Sequence, residues 1–467
     1  MKKTFATLTL ISLLTFGVNA QKITSSFIYK HTYKDLAKAA QNPDDVYGLN
    51  LSRKKLTKFP EVIFKFKNLR KLDLRDNKLT EIPAEIGKLK NLTTLNLNYN
   101  QLTTLPAEIG QLKQLNELRL NRNKFQSLPA EIGQLTQLTW LRASDNQLQS
   151  LPVALGQLQK LKFFSVSGNQ ISQIPSEVLA WPNLTFLSLS NNQLKKLPAT
   201  IGQLTKLESL FLGGNQLASL PSEIGQLQSL KTLSLKFNRL ASIPATIGQL
   251  VSLNYLTFRE NRLSTLPRAM NQLKKLTDLN LSDNQFTQIP KEVFELTSLK
   301  KLYVSNNQLP AIPKQVGQLK NLKTLDFGEN KIKTVPKEVY GLVALEKLDL
   351  STNAIQQLSP KIGQLKQLKY LRIIECQLQT LPAEVFTLTN LETLGLSKNP
   401  LKTLPSAIGQ LTKLEWLRLY QAQLTDLPAE IKSLEKLEYL DLRKNNVAES
   451  KQQKIKEALP SDCDVKF

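Results

Sequence analysis

From Leu69 onward, apolar and variable positions follow one frame, Leu69-x-x-Leu72-x-Leu74-x-x-Asn77-x-Leu79-x-x-Ile82-Pro83, which returns every 23 residues as far as Asn445. Its asparagine position falls at 77, 100, 123, 146 and onward, and fifteen of the seventeen copies keep the asparagine, Cys376 and Ala422 being the exceptions. Lys54 marks an atypical copy ahead of these, which makes eighteen repeats. Within each copy the Leu-x-x-Leu-x-Leu segment alternates with the two-residue period of a strand, so the leucines face inward and the residues between them face out. One strand per repeat predicts a parallel sheet.

Where the chain turns out of each strand, an asparagine amide supplies two donors and an acceptor for backbone groups that a neighbouring repeat cannot pair. Stacked copies predict a ladder of such side chains. Cys376 reads as a ladder member, being small with a weak donor. Ala422 reads as a break, with weaker local order around it. The second half of each repeat, as in Pro106-Ala-Glu-Ile-Gly-Gln-Leu112, predicts a short convex helix with proline at its first position and Ile109 and Leu112 on one face. The glycine of this segment gives way in seven copies to Phe64, Leu179, Asn271, Phe294, Tyr340, Phe386 and Lys432. Bulky side chains resist positive φ, so the helix is expected to run through that position, with glycine there for close packing between repeats.

Strands inside and helices outside predict an α/β solenoid that curves, since helices need more width than strands about 4.8 Å apart; eighteen strands imply an inner arc of about 80–90 Å. The expected organisation is a signal peptide at 1–20, an N-terminal cap at 21–45, the solenoid at 46–447 and a C-terminal cap at 448–467. In the caps, residues 33–40 read as a helix, 449–459 as an amphipathic helix and 463–467 as a final edge strand. Such covers keep solenoid ends soluble.

The unit LxxLxLxxNQLxxLPxEIGQLxx resembles the secreted bacterial leucine-rich-repeat proteins abundant in leptospires and some Bacteroidetes, and more distantly the Ras-group leucine-rich-repeat proteins. The resemblance covers residues 46–447. It implies a horseshoe that binds proteins or glycans with its concave face, in a surface or secreted setting. Ser359, at the usual proline position, departs from the pattern together with Cys376 and Ala422.

Composition narrows the chemistry. Lys2 and Lys3, the apolar run from Thr4 to Gly17 and the small residue Ala20 read as a cleavable export signal with Gln21 as the new terminus. The run falls short of the roughly 20 residues that span a bilayer, and no later segment serves as a membrane span. Export to the periplasm, the cell surface or the medium is the expected location. His31, the single histidine, lies in the cap, which leaves the repeats without a serine or cysteine triad. No metal, phosphate-loop or calcium-loop motif is found. The expectation is a protein with no enzymatic activity, no cofactor and no metal. Cys376 and Cys463 are separated by at least three strand spacings, roughly 14 Å, beyond the reach of a disulfide, and are expected as buried free thiols.

Candidate binding residues emerge from the open columns of the sheet. Trp140, Phe163 and Phe186 occupy one position in consecutive repeats, and Phe211, Phe237 and Tyr255 follow nearby, among the small residues Ser165, Ser167, Gly168, Ser188, Ser190, Gly213 and Gly214. A second group comprises Tyr370, Arg372, Ile374, Trp416, Arg418, Tyr420 and Tyr439. Aromatics beside small polar groups anchor partners or stack on sugars; the same residues also stabilise a sheet by cross-strand packing. The favoured partner is a protein or a glycan. A competing reading starts from charge: the chain carries +24, and +22 without Lys2 and Lys3. Such an excess favours polyanions. The five variable columns of the strands carry only about +4 of it, so most lies on turns and the convex face. Nucleic acid is not expected as a partner of an exported chain. A third reading is a structural scaffold of the cell envelope.

Overall fold

The computed structural model describes residues 24–467; the export signal lies outside the described residues. Among these residues twenty parallel strands form one sheet, in which each strand pairs with the next in sequence. The register is constant. Leu72, Leu95 and Leu118 sit opposite one another, as do their counterparts through Leu440. Each inward leucine therefore stacks on the leucines of the repeats before and after, and these columns are fully buried. The solenoid core is one continuous slab, fed by the strand leucines on one side and by convex residues such as Ile109 and Leu112 on the other.

The convex segments are 3₁₀ rather than α-helical. Ala107–Gln111 typifies them, with Ile109 N–H donating to Pro106 O at 3.1 Å and Leu112 N–H to Ile109 O at 3.2 Å. The segment is only five residues long, and short i to i+3 turns are the usual form of so brief a helical piece. The proline caps the segment rather than entering it. Lys337–Tyr340 is the one convex segment among the described residues with α geometry. Ser359 keeps the register: it replaces the capping proline, and its hydroxyl accepts the Lys361 N–H at 3.3 Å. The 3₁₀ segment does run through the glycine position. A Cβ on Gly110 would lie 2.8 Å from the Glu131 carbonyl of the next repeat, so glycine there allows the repeats to approach closely.

The ladder is built as a chain of shared carbonyls. Asn123 Nδ2 donates to Leu97 O at 2.9 Å and to Leu120 O at 3.1 Å, and its Oδ1 accepts the Leu102 N–H at 3.1 Å. Leu97 O also accepts from Asn100 Nδ2 at 3.1 Å, so one carbonyl serves two consecutive asparagines. Cys376 joins through its thiol, which approaches Leu350 O at 3.5 Å; burial pushes that thiol above its ordinary pKa. Ala422 cannot. Leu401 N–H, which would meet an asparagine there, turns to Asn399 O at 2.9 Å instead. Extra left-handed residues appear at Lys402 and Gln423 beside the gap, and at Lys55 beside the atypical Lys54. An open groove of about 600 Å³ lies alongside, bordered by Cys376, Pro400 and Gln423.

At the ends, Ser25–Lys30 and Leu36–Gln41 are helices, and Thr32–Tyr33 pairs with Gly48–Asn50 as a first strand. The second helix thus starts later than the expected 33–40, because Asp35 caps it by accepting the Lys38 N–H at 2.9 Å. Glu449–Ala458 is helical, and Asp464–Lys466 pairs with Tyr439–Asp441. Cys376 and Cys463 are both free thiols; Cys463 is only half-buried, because it leads into the edge strand where no further repeat covers it.

Replacing Asn123 by Ala removes three buried hydrogen bonds and orphans the Leu102 amide, and should lower unfolding free energy by about 3 kcal/mol in chemical denaturation. By contrast, the Leu401 amide should exchange with solvent faster than that of Leu378, whose N–H is held by Asn399 Oδ1 at 3.1 Å; equal rates would show that the gap is harmless.

Candidate functional site: the concave face

Strand register brings Trp140, Phe163 and Phe186 side by side. Trp140 and Phe163 stack with centroids 4.0 Å apart and planes within 1°, and Phe163 and Phe186 stack at 4.2 Å and 7°. Phe211, one column across, continues the row at 5.3 Å with its ring tilted by 39°. The stacked rings cover one another, so all four are half-buried rather than fully open as their variable positions implied. Their stacked faces are consumed by neighbours and part of their edges meets solvent, although the indole Nε1 of Trp140 is buried without a hydrogen-bond partner. A ring edge is the electropositive part of an aromatic group, so this row offers an apolar, weakly cationic rim and little open face for a sugar.

Phe237 and Tyr255 lie beyond the stack and are 39% and 41% exposed. Phe237 sits at the turn with φ of 56°, a left-handed conformation that costs a residue with a Cβ on the order of 1 kcal/mol. Between them and Phe211 opens a concavity of about 700 Å³, with Ser188, Ser234 and Gly213 among its lining residues and Lys236 at its rim. Gly213 keeps it open, since a Cβ there would press on Lys236 Cγ at 2.9 Å. Trp181, by contrast, is buried, packs on Phe164 and donates to Leu155 O at 2.8 Å; it belongs to the core.

The second group is drawn together less tightly. Trp416, 37% exposed, meets Tyr439 at 5.1 Å. Tyr420 is flanked by Arg443 and Lys444, at 5.8 and 5.3 Å from its ring. Tyr370 and Arg372 stand apart from Trp416, separated by the strand Thr393–Gly395, with Lys347 Nζ 4.3 Å from the Tyr370 ring. Arg443 grips Asp441 through two bonds of 2.9 and 2.7 Å.

Tyr370 and Arg372 also border a cleft missed in the sequence. Tyr303, Asp326, Lys347, Asp349, Tyr370 and Arg372 border about 340 Å³. Asp326 and Asp349 are directly opposite on adjacent strands, a like-charge pairing that 23-residue spacing of two aspartates could have revealed. Burial first, and then the Asp349 carboxylate, push the Asp326 pKa up to about 6, against the pull of the Gly328 N–H that it accepts at 2.9 Å. Among the described residues no cluster of histidine, cysteine and carboxylate side chains could hold a metal ion, and no helix is long and apolar enough to cross a membrane.

The folded chain keeps the Asp326 proton to higher pH than the unfolded chain does, so this group favours folding in acid and loses that advantage as pH rises through about 6. Replacement by Asn should therefore stabilise the protein by on the order of 2 kcal/mol near pH 7, with the gain shrinking towards pH 4. Thermal or chemical unfolding at the two pH values measures this; a gain independent of pH would mean that the Asp326 charge is not the cause.

The sequence matches the family described as leucine-rich repeat region over residues 49–151, 152–237 and 348–460, and leucine rich repeat over 228–286, 274–316 and 297–355. Among curated proteins nothing matches the chain. Among solved structures it is similar to a leucine-rich-repeat protein of Leptospira interrogans, with 36% identity and a TM-score of 0.60, covering 93% of this chain and 99% of that one. It is also similar to the plant peptide hormone receptor RGFR1, solved in complex with RGF2, at 31% identity and a TM-score of 0.65 over 85% of this chain and 74% of that one. A TDR receptor aligns at 26% identity and a TM-score of 0.68, over 89% of this chain and 83% of that one. Repeat, register and these matches agree: the chain belongs to the leucine-rich-repeat family.

Proposed function

We propose that this protein is a non-catalytic binding protein that captures a polypeptide partner on its concave face, outside the cytoplasm. The observation that carries the reading is the row from Trp140 to Tyr255. It ends in exposed Phe237 and Tyr255 around a concavity with small polar residues and glycine in its lining. Aromatic anchors beside shallow pockets, on a rigid sheet, bind with little loss of conformational freedom. Phe237 supports this further, because its ring is held at the turn with a large part of its surface open to solvent.

A polypeptide fits better than a sugar polymer. Parallel stacking leaves ring edges in the groove, whereas sugars need open ring faces. The similar receptor RGFR1 was solved with RGF2 bound, which supports a polypeptide ligand for this architecture. The export signal read in residues 1–20 and the likeness to a Leptospira protein support a bacterial, extracytoplasmic setting.

Peptides selected on the full-length protein from a displayed random library should lose at least about tenfold in affinity for a Phe237→Ala, Tyr255→Ala double variant, as anchor residues do. Both side chains are exposed, so unfolding curves should stay near those of the parent. The triple variant Trp140→Ala, Phe163→Ala, Phe186→Ala should lose binding and some stability together, because its rings also support one another. Unchanged peptide affinity in the double variant would assign the aromatics to sheet stabilisation alone.

A further inference from the structure

The tripeptide Trp-Leu-Arg occurs twice on the concave face, as Trp140–Arg142 and as Trp416–Arg418. In both places the arginine lies beside the tryptophan ring, at 5.0 Å for Arg142 and 5.8 Å for Arg418, and Arg142 also lies 4.7 Å from the Phe163 ring. In both places the nearby carboxylate is committed elsewhere. Glu117, beside Arg142, accepts from Arg119 at 2.7 Å, and Asp441, opposite Arg418, is gripped by Arg443. Among the described residues neither Arg142 nor Arg418 pairs with a carboxylate, and the Nε of each is buried without a hydrogen-bond partner.

A guanidinium held half-buried with no counter-charge is an incomplete arrangement. Contact with a ring quadrupole returns only about 1 kcal/mol, whereas a carboxylate engages the planar donors of arginine in two parallel bonds. We infer that Arg142 and Arg418 are two receptor points for carboxylates of the partner, and that the partner is a polypeptide whose Asp or Glu residues are flanked by apolar side chains. This rests on the polypeptide reading above and specifies the chemistry of its ligand.

The surroundings of each arginine set the second half of that specification. Beside Arg142 run the edges of Trp140, Phe163 and Phe186, leading to the concavity at Phe211 with Lys236, which makes no ion pair among the described residues, on its rim. An extended segment of about seven residues, laid across the strands, covers the roughly 24 Å from Trp140 to Tyr255. It meets a cation at Arg142, apolar edges next, and a second cation at Lys236. Arg418 offers the same sequence of features on a smaller scale with Trp416, Tyr439 and Tyr420. The two points lie twelve strands apart, about 58 Å of sheet, so each takes its own segment. Polyanionic sugars would be served by a continuous track of free cations, but the nearby basic groups Arg119, Lys231, Arg259 and Arg443 are already in ion pairs.

A random peptide library displayed and selected on the full-length protein reads the preference directly. Binders should be enriched in Asp or Glu next to Leu, Ile, Val or Phe. Arg142→Gln or Arg418→Gln should weaken the binders of its own patch by about tenfold, and Arg142→Lys should restore only part, since lysine lacks the planar fork. Binders that need Phe237 and Tyr255 but carry no acidic excess, or ignore both glutamine variants, would overturn the inference and leave the polypeptide reading standing. Failure to enrich any peptide, or displacement of all of them by a heparin oligosaccharide irrespective of Phe237 and Tyr255, would overturn both.

Discussion

A strand of three residues followed at once by a turn leaves backbone groups that no neighbouring strand can pair, and every repeat of this chain meets that difficulty at the same place. The asparagine side chain resolves it by acting in three directions. Asn123 closes its own turn, reaches back to Leu97 in the previous repeat and holds the Leu102 amide there. Because each carbonyl is shared between successive asparagines, the turns are stitched together as firmly as the strands. Constant register follows from this stitching, and so does the even spacing of the open columns. The aromatic row can stack plane to plane only because the ladder behind it fixes the strand positions so regularly.

That same regularity decides what the concave face presents. Residues one repeat apart sit at strand spacing, close to the centroid separation of a stacked ring pair, so consecutive aromatics in one column turn their faces to each other. Where the row shifts column at Phe211, and again to the turn at Phe237, the stack opens and a concavity forms. Charges obey the same geometry. Basic and acidic residues one repeat apart pair readily, as Lys231 with Glu208 and Lys301 with Asp278 do. At Asp326 an aspartate at that spacing adds instead to the effect of burial, and the proton affinity of Asp326 rises.

The repeat, the inward leucines, the ladder and the role of Cys376 were legible in the sequence because a fixed period converts position directly into place. The columns of the candidate site were legible for the same reason. What lay beyond the pattern was anything set by side-chain orientation. Whether Trp140 faces solvent or Phe163 depends on ring rotation, and the partner chosen by Glu117 depends on which arginine reaches it first. The convex segments were read as helices from proline and apolar spacing, but their 3₁₀ form is a matter of how short each helical piece is. The late start of the second helix came from a cap, Asp35, hidden by the apolar pattern around it.

In a stack whose members touch only their neighbours, compliance adds in series, and a deformation gathers at the softest junction. At Ala422 one side-chain rung is missing, with a diverted Leu401 amide and two extra left-handed residues, although strand pairing across that junction is complete. It falls between the strand Thr393–Gly395 and the strand Trp416–Arg418. The repeats that carry Trp416 and Tyr439 are therefore tied to the rest of the stack by their strand pairing and leucine columns, with one side-chain link fewer than the asparagine-bearing junctions before them.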